Sequence, residues 1–206
     1  MNNFVAIVDY GMGNLNSVKK KLDRLRVESV ITNDVEQLQK AQKIILPGVG
    51  HFSKAMDNLS KLKLIEPLNK FVLEEKKPIL GICLGMQLMT KKSEEGDSNG
   101  LGWFDAEIVK FKVADRLKFK VPHMGWNSIE FVKENPLNSE INDQSEFYFV
   151  HSYHVKSNDE SIVLHKSNYE YEFISALAKN NIYGVQYHPE KSHDAGEQML
   201  RNFINL

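Results

Sequence analysis

The stretch Gly81-Ile82-Cys83-Leu84-Gly85 sets the narrowest limits on what this chain can fold into. It follows the apolar run Pro78-Ile79-Leu80, which reads as a buried strand, and leads into Leu84, Met86, Leu88 and Met89, which read as the start of a helix. A Gly-x-nucleophile-x-Gly corner between strand and helix holds its central side chain out on a tight turn, and the flanking glycines leave room for the backbone to bend and for substrate to approach. A helix N-terminus beneath the thiol favours the thiolate. Cys83 is the only cysteine in 206 residues. A lone cysteine is more often a small buried apolar residue, so the functional reading depends on partners elsewhere in the chain.

Upstream, Phe4 to Asp9 is a β-rich apolar run. Tyr10-Gly11-Met12-Gly13-Asn14 then opens a helix with Leu15, Val18, Leu22 and Leu25 on one face. The Gly-Met-Gly lacks the third glycine of a dinucleotide fingerprint, and no Gly-Lys-Ser/Thr follows it, which weighs against a phosphate loop. Val30 to Thr32 reads as a second strand, and Asp34 as the cap of a helix carrying Val35, Leu38 and Ala41. Lys43 to Leu46 is a third strand, emptying into Pro47-Gly48-Val49-Gly50, a loop whose backbone N–H groups can approach a ligand. Helical segments from about Ser53 and through Leu64, Leu68, Phe71 and Val72 lead to the elbow strand. This alternation predicts a parallel sheet covered on both faces, with ligands at the C-terminal ends of its strands.

Beyond Gly102 the pattern changes. Residues 106–111, 128–132, 146–150 and 161–164 read as strands joined by turns, an antiparallel extension of the sheet, and 173–177 and 182–186 add two more. The chain closes on an amphipathic helix containing Met199, Leu200, Phe203 and Ile204. No internal repeat or linker interrupts it, so residues 1–206 are expected to form one domain. Twenty-six basic residues against twenty-seven acidic ones leave no charge excess that would point to nucleic acid. No basic n-region opens the chain and no apolar run reaches the roughly 18 residues of a membrane span, so a soluble, cytoplasmic protein is expected.

A cysteine nucleophile needs a base, and the base needs an orienting group. Of seven histidines, His188 stands apart because Tyr187-His188-Pro189-Glu190 ends the strand Ile182 to Gln186, where a parallel sheet places its ligands. The i, i+2 spacing lets Glu190 reach the imidazole. Cys83, His188 and Glu190 are the inferred triad. His151 and His154, with His188 or His193, could imitate a metal set, but one cysteine and no His-Glu-x-x-His helix argue for no metal. A cofactor is not called for by any motif.

Gly81-Ile82-Cys83-Leu84-Gly85-Met86-Gln87 and His188-Pro189-Glu190 together resemble the class I, triad-type glutamine amidotransferases. Within that class, Asp9 to Asn14, Pro47 to Gly50, Pro122-His123-Met124-Gly125-Trp126-Asn127, Tyr148 to Tyr153 and Tyr187 to Ser192 look like the glutaminase subunits of imidazole glycerol phosphate synthases. The resemblance implies a flavodoxin-like α/β fold, with a mostly parallel sheet flanked by helices and an antiparallel extension. It implies hydrolysis of glutamine and delivery of ammonia to a (β/α)8-barrel cyclase partner in histidine biosynthesis. Cys83, His188 and Glu190 would be catalytic, and the backbone of Leu84 with Val49 or Gly50 would form the oxyanion hole. Gly48, Gly85, Gln87, Glu94, His151, Ser152 and Tyr153 would lie near bound glutamine, and Asn14, Trp126 and Lys191 would face the partner.

His51, just after the oxyanion loop, stands where relatives carry small residues. Gly96 to Trp103 looks closer to a paralogous group of glutaminases that serve amidation of a surface-polysaccharide sugar. That paralogue is one alternative reading. A cysteine peptidase on a related scaffold and a catalytically silent regulatory subunit are others, the last opposed by the intact Cys, His and Glu set.

Overall fold

The computed structural model describes residues 4–206. Its first half alternates as the periodicity predicts: β1 (Val5–Val8), α1 (Leu15–Arg24), β2 (Ser29–Thr32), α2 (Val35–Lys40), β3 (Lys43–Gly48), α3 (Phe52–Lys61), α4 (Ile65–Asn69) and β4 (Ile79–Cys83). The four strands lie parallel in the order β2-β1-β3-β4. Asp34 caps α2, its carboxylate accepting from the N–H groups of Glu36 and Gln37. Successive residues of a strand point to opposite faces, so Ala6 and Val8 pack under α2 and α3 while Val5 and Ile7 pack under α1. Both faces are therefore dry, which explains why these strands read as continuous apolar runs rather than alternating ones.

The elbow helix α5 (Leu84–Leu88) is short, and it is followed by β5 (Lys92–Ser93), β6 (Ser98–Asn99), β7 (Glu107–Lys110), β8 (His123–Ser128), β9 (Glu130–Phe131), β10 (Glu146–His151), β11 (Tyr153–Lys156), β12 (Val163–Tyr169), β13 (Tyr171–Lys179), β14 (Ile182–Val185) and α6 (His193–Asn205). β14 returns to lie parallel beside β4, and β13, β11 and β7 continue the sheet antiparallel from it. Helix α6 turns Met199, Leu200 and Phe203 onto the face shared with α1.

Two departures from the expected strands position the site. The segment expected as one strand over residues 128–132 is split at Ile129, which is buried, and most of the strand lies earlier, in the Pro-, Gly- and Asn-containing motif that carries no β signature. β8 pairs with β10 in full antiparallel register, Trp126 opposite Tyr148 and His123 opposite His151, as a two-stranded ribbon separate from the main sheet. β10 is thus not part of the antiparallel extension. No helix among the described residues is long and apolar enough to cross a membrane.

Candidate active site

Cys83 closes β4 with φ +54° and ψ −112°. A side chain other than glycine in such a conformation costs about 1–3 kcal/mol and persists only where the surroundings dictate it. They do so here by close approach. A β-carbon on Gly85 would lie 1.7 Å from the carbonyl oxygen of Leu46 in β3, and one on Gly81 would lie 2.7 Å from the amide nitrogen of Met86. The two glycines let α5 sink onto the sheet, and the corner between them carries its buried thiol to the wall of a cavity, beside Val150 and Gln186.

β14, next to β4, delivers the base. His188 follows it and is buried, as is Glu190, and Nδ1 of His188 donates to Oε1 of Glu190 over 2.8 Å. The turn is held from two sides. The N–H of His188 donates to the carbonyl of Tyr148 in β10, and the Ser192 hydroxyl accepts from the N–H of Tyr148 while donating to the carbonyl of His188. With Nδ1 committed to the carboxylate, Nε2 has no hydrogen-bond partner among the described residues. Burial alone would push the imidazole's pKa down; the nearby Cys83, together with Glu190, outweighs burial and holds it up at about 10.

In front of the sulfur lies a cavity of about 300 Å³, bounded by the Val49–Gly50 loop, by Leu84 and Gln87 of α5, and by the Val150–Tyr153 turn. Leu84 is the first residue of its helix, so its N–H has no partner within it. Behind the loop, the buried Tyr10 hydroxyl donates to the carbonyl of Pro47 over 2.8 Å, and burial, with the nearby Cys83, keeps that phenol protonated.

A nucleophile elbow, a carboxylate-oriented imidazole and a flanking N–H loop match one family throughout. The class-I glutamine amidotransferase profile matches residues 6–206. The chain belongs to the class-I glutamine amidotransferases. A protein of Methanococcus maripaludis named imidazole glycerol phosphate synthase subunit HisH 2 is 52% identical over 97% of this chain and 98% of its own length. One of Campylobacter jejuni named subunit HisH 1 of the same synthase is 48% identical over 98% and 100%. Among solved structures, PurLQS from Thermotoga maritima superposes with a TM-score of 0.76 at 17% identity, covering 100% of this chain and 99% of its own, a likeness of fold.

In this amidotransferase Cys83, Leu84, Val49, Gly50, Gln87, His151, Ser152 and Tyr153 all border the cavity, with His188 and Glu190 buried close by. Three residues expected near substrate do not border it. Gly48 and Gly85 lie beneath the surface, where a β-carbon on Gly48 would strike the Tyr10 hydroxyl at 2.2 Å, so their smallness serves packing. Glu94 turns away and accepts from the N–H of Lys110; its neighbour Glu95 borders the cavity instead and accepts from the N–H of Phe52. Both glutamates lie in the turn between β5 and β6, where the contact each makes decides which way it points.

Of the residues expected to face a partner, Trp126 is 44% exposed and stacks on His193, and exposed Lys191 lies 5.4 Å above the Tyr148 ring; Asn14 precedes α1. The sequence reading missed Glu95, Pro122 and Val150 on the cavity wall, the Ser192 clip and the buried Gln186 beside the sulfur. His151, considered there for a metal set, has both ring nitrogens engaged by protein groups.

Proposed function

We propose that this amidotransferase is the glutaminase subunit of an imidazole glycerol phosphate synthase, a single domain over residues 1–206 that works in the cytoplasm and passes ammonia to a (β/α)8-barrel cyclase. The observation that carries the reading is the meeting of the elbow thiol with the buried His188–Glu190 pair at a cavity with room for an amino acid. Sγ of Cys83 attacks the side-chain amide carbon of glutamine, and the carbonyl oxygen becomes an oxyanion received by the N–H of Leu84 and an N–H of the Val49–Gly50 loop. The imidazolium of His188 gives its proton to the departing nitrogen, which leaves as ammonia. The now neutral imidazole takes a proton from water, whose oxygen attacks the thioester; collapse expels the sulfur, releases glutamate and restores the starting pair. Glu190 keeps Nδ1 protonated throughout, so Nε2 is the nitrogen that exchanges protons.

Gln87, Glu95, His151, Ser152 and Tyr153 shape the glutamine site in this reading, and Trp126, Lys191 and Asn14 meet the cyclase. One observation favours a second acceptor. Methanococcus maripaludis holds two relatives, named HisH 1 and HisH 2, at 44% and 52% identity. A duplicated subunit frees one copy to supply another reaction, such as amidation of a surface-polysaccharide sugar.

The test is to pair the chain with the protein that co-purifies with it and follow glutamine- and ammonia-dependent synthesis. Cys83→Ala is expected to abolish the first and spare the second. Loss of both would sink the division of labour, and the phosphoribosyl or sugar substrate that accelerates glutamine hydrolysis identifies the acceptor.

A further inference from the structure

We infer that Gln186 is a hydrogen-bond donor to the nucleophilic sulfur, locked in that sense by the carbonyl of Tyr153 acting through Gln87. The inference rests on Cys83 being the nucleophile and adds a residue to its reaction. Gln186 is fully buried at the end of β14, and its side-chain amide lies between Gln87 and Cys83.

An amide side chain can present either nitrogen or oxygen to a neighbour, so its sense must be argued from groups that have no such choice. A peptide carbonyl can only accept. The Tyr153 oxygen lies 3.2 Å from one terminal atom of Gln87, and that atom must therefore be Nε2. The same Nε2 lies 3.0 Å from a terminal atom of Gln186, which must then be Oε1. Nε2 of Gln186 is what remains, 3.7 Å from Sγ of Cys83. With the sense of either amide reversed, two oxygens or two N–H groups would meet in a buried site, at a cost of about 1–3 kcal/mol for each unsatisfied group.

The same carbonyl fixes the other wall. Nδ1 of His151 lies 2.8 Å from it and so carries a proton, which leaves Nε2 of His151 as an acceptor. Nδ1 of His123 donates to that nitrogen over 2.9 Å, and Nε2 of His123 accepts from Asn127 over 3.3 Å. One backbone oxygen thereby sets the polarity of a chain running from β8 to the nucleophile: Asn127, His123 and His151 on one side, Gln87, Gln186 and Cys83 on the other. Burial lowers the pKa of both histidines, His123 to about 4, so neither gains the second proton that would reverse the chain. An N–H aimed at sulfur stabilises negative charge there and keeps Sγ pointed across the cavity. Gln87 and His151 are positioning residues in this scheme, and Gln186 touches the reacting atom.

The test is the pH dependence of iodoacetamide alkylation at Cys83, followed by intact mass in the full chain, alongside glutamine hydrolysis. Gln186→Leu removes the donor and is expected to move the alkylation profile upward by about one pH unit, the weight of one hydrogen bond to a charged group. It should also lower kcat about tenfold and leave KM within twofold. Gln87→Leu is a second variant that keeps Gln186 but frees its amide to turn, and it should move the profile in the same direction by less. Profiles that superimpose on that of the unchanged protein, in whichever variant folds, overturn the inference. Complete alkylation of the unchanged protein with no loss of glutamine hydrolysis would overturn Cys83 as the nucleophile instead, while the profiles would still decide the hydrogen bond.

Discussion

Nδ1 of His188 donates to Oε1 of Glu190 over 2.8 Å with both side chains sealed from solvent, at 1% and 2% exposure. Two residues apart and joined through Pro189, they form a rigid unit whose free nitrogen is set before substrate arrives. Glu190→Gln keeps the shape but removes the charge and permits the other tautomer. Glutamine hydrolysis is expected to fall by about 10²–10⁴ in kcat with little change in KM, as in other triads whose orienting carboxylate is replaced by an amide. Steady-state kinetics on the complex check this, and a loss confined to KM would contradict it.

Gly85 faces the Leu46 carbonyl with no space for a methyl group, whereas Gly102 has φ +72° and nothing within 4 Å of where its β-carbon would stand. Gly85→Ala should therefore force β3 and α5 apart and cost more than about 3 kcal/mol. Gly102→Ala should cost only about 1–2 kcal/mol, the strain of a left-handed residue. Urea unfolding of the two variants separates packing from strain; equal midpoints would refute the distinction.

Stability should peak near neutral pH, for two opposed reasons. His123 and His165 keep folded pKa values of about 4 and about 3 because burial disfavours their charge, and His151 is lowered too. Below pH 6.5 the unfolded chain takes up protons that the folded chain refuses, so each such histidine removes about 1.4 kcal/mol per pH unit down to its folded pKa. His188 behaves oppositely. Its folded pKa of about 10 gives a contribution fully present below 6.5 and lost as pH rises from there towards 10. Urea midpoints at pH 5, 6.5 and 9 should be highest at 6.5, and a midpoint that rises between 6.5 and 5 would count against the buried neutral histidines.

Trp126 stacks on His193 with ring centroids 4.7 Å apart and an interplanar angle of 7°, yet is 44% exposed. Trp126→Ala should change the stability of the isolated chain by less than about 1 kcal/mol while weakening partner association by about 2 kcal/mol or more, as expected of an exposed aromatic anchor. Titration of labelled partner measures the second quantity and thermal melting the first. Unchanged association would move the interface elsewhere.

The elements that were legible in the sequence are those whose causes are local. Asp34 announces its helix because a cap is set by the residues that follow it within one turn, and the elbow shows because two glycines must stand at fixed spacing around the thiol. β8 was illegible as a strand: Gly125 and Asn127 contradict β propensity, and pairing with β10, distant in the chain, overrides it. Glu95 rather than Glu94 borders the cavity because both lie in the turn between β5 and β6, where side-chain direction is decided by tertiary contacts, Glu94 with the N–H of Lys110 and Glu95 with that of Phe52. Gln186 is a single polar residue at a strand end, and only the folded chain brings it to Gln87 and Cys83.

The pleat of β8 turns His123 inward and sends Met124 and Trp126 outward. In the proposed complex the inward residue belongs to the buried network behind the glutamine site and the outward ones to the surface that meets the partner. The outer positions can therefore be substituted without touching the wall of the catalytic cavity. Under the proposed pairing, a change of acceptor calls for substitutions on one side of a ribbon and leaves its other side as it is.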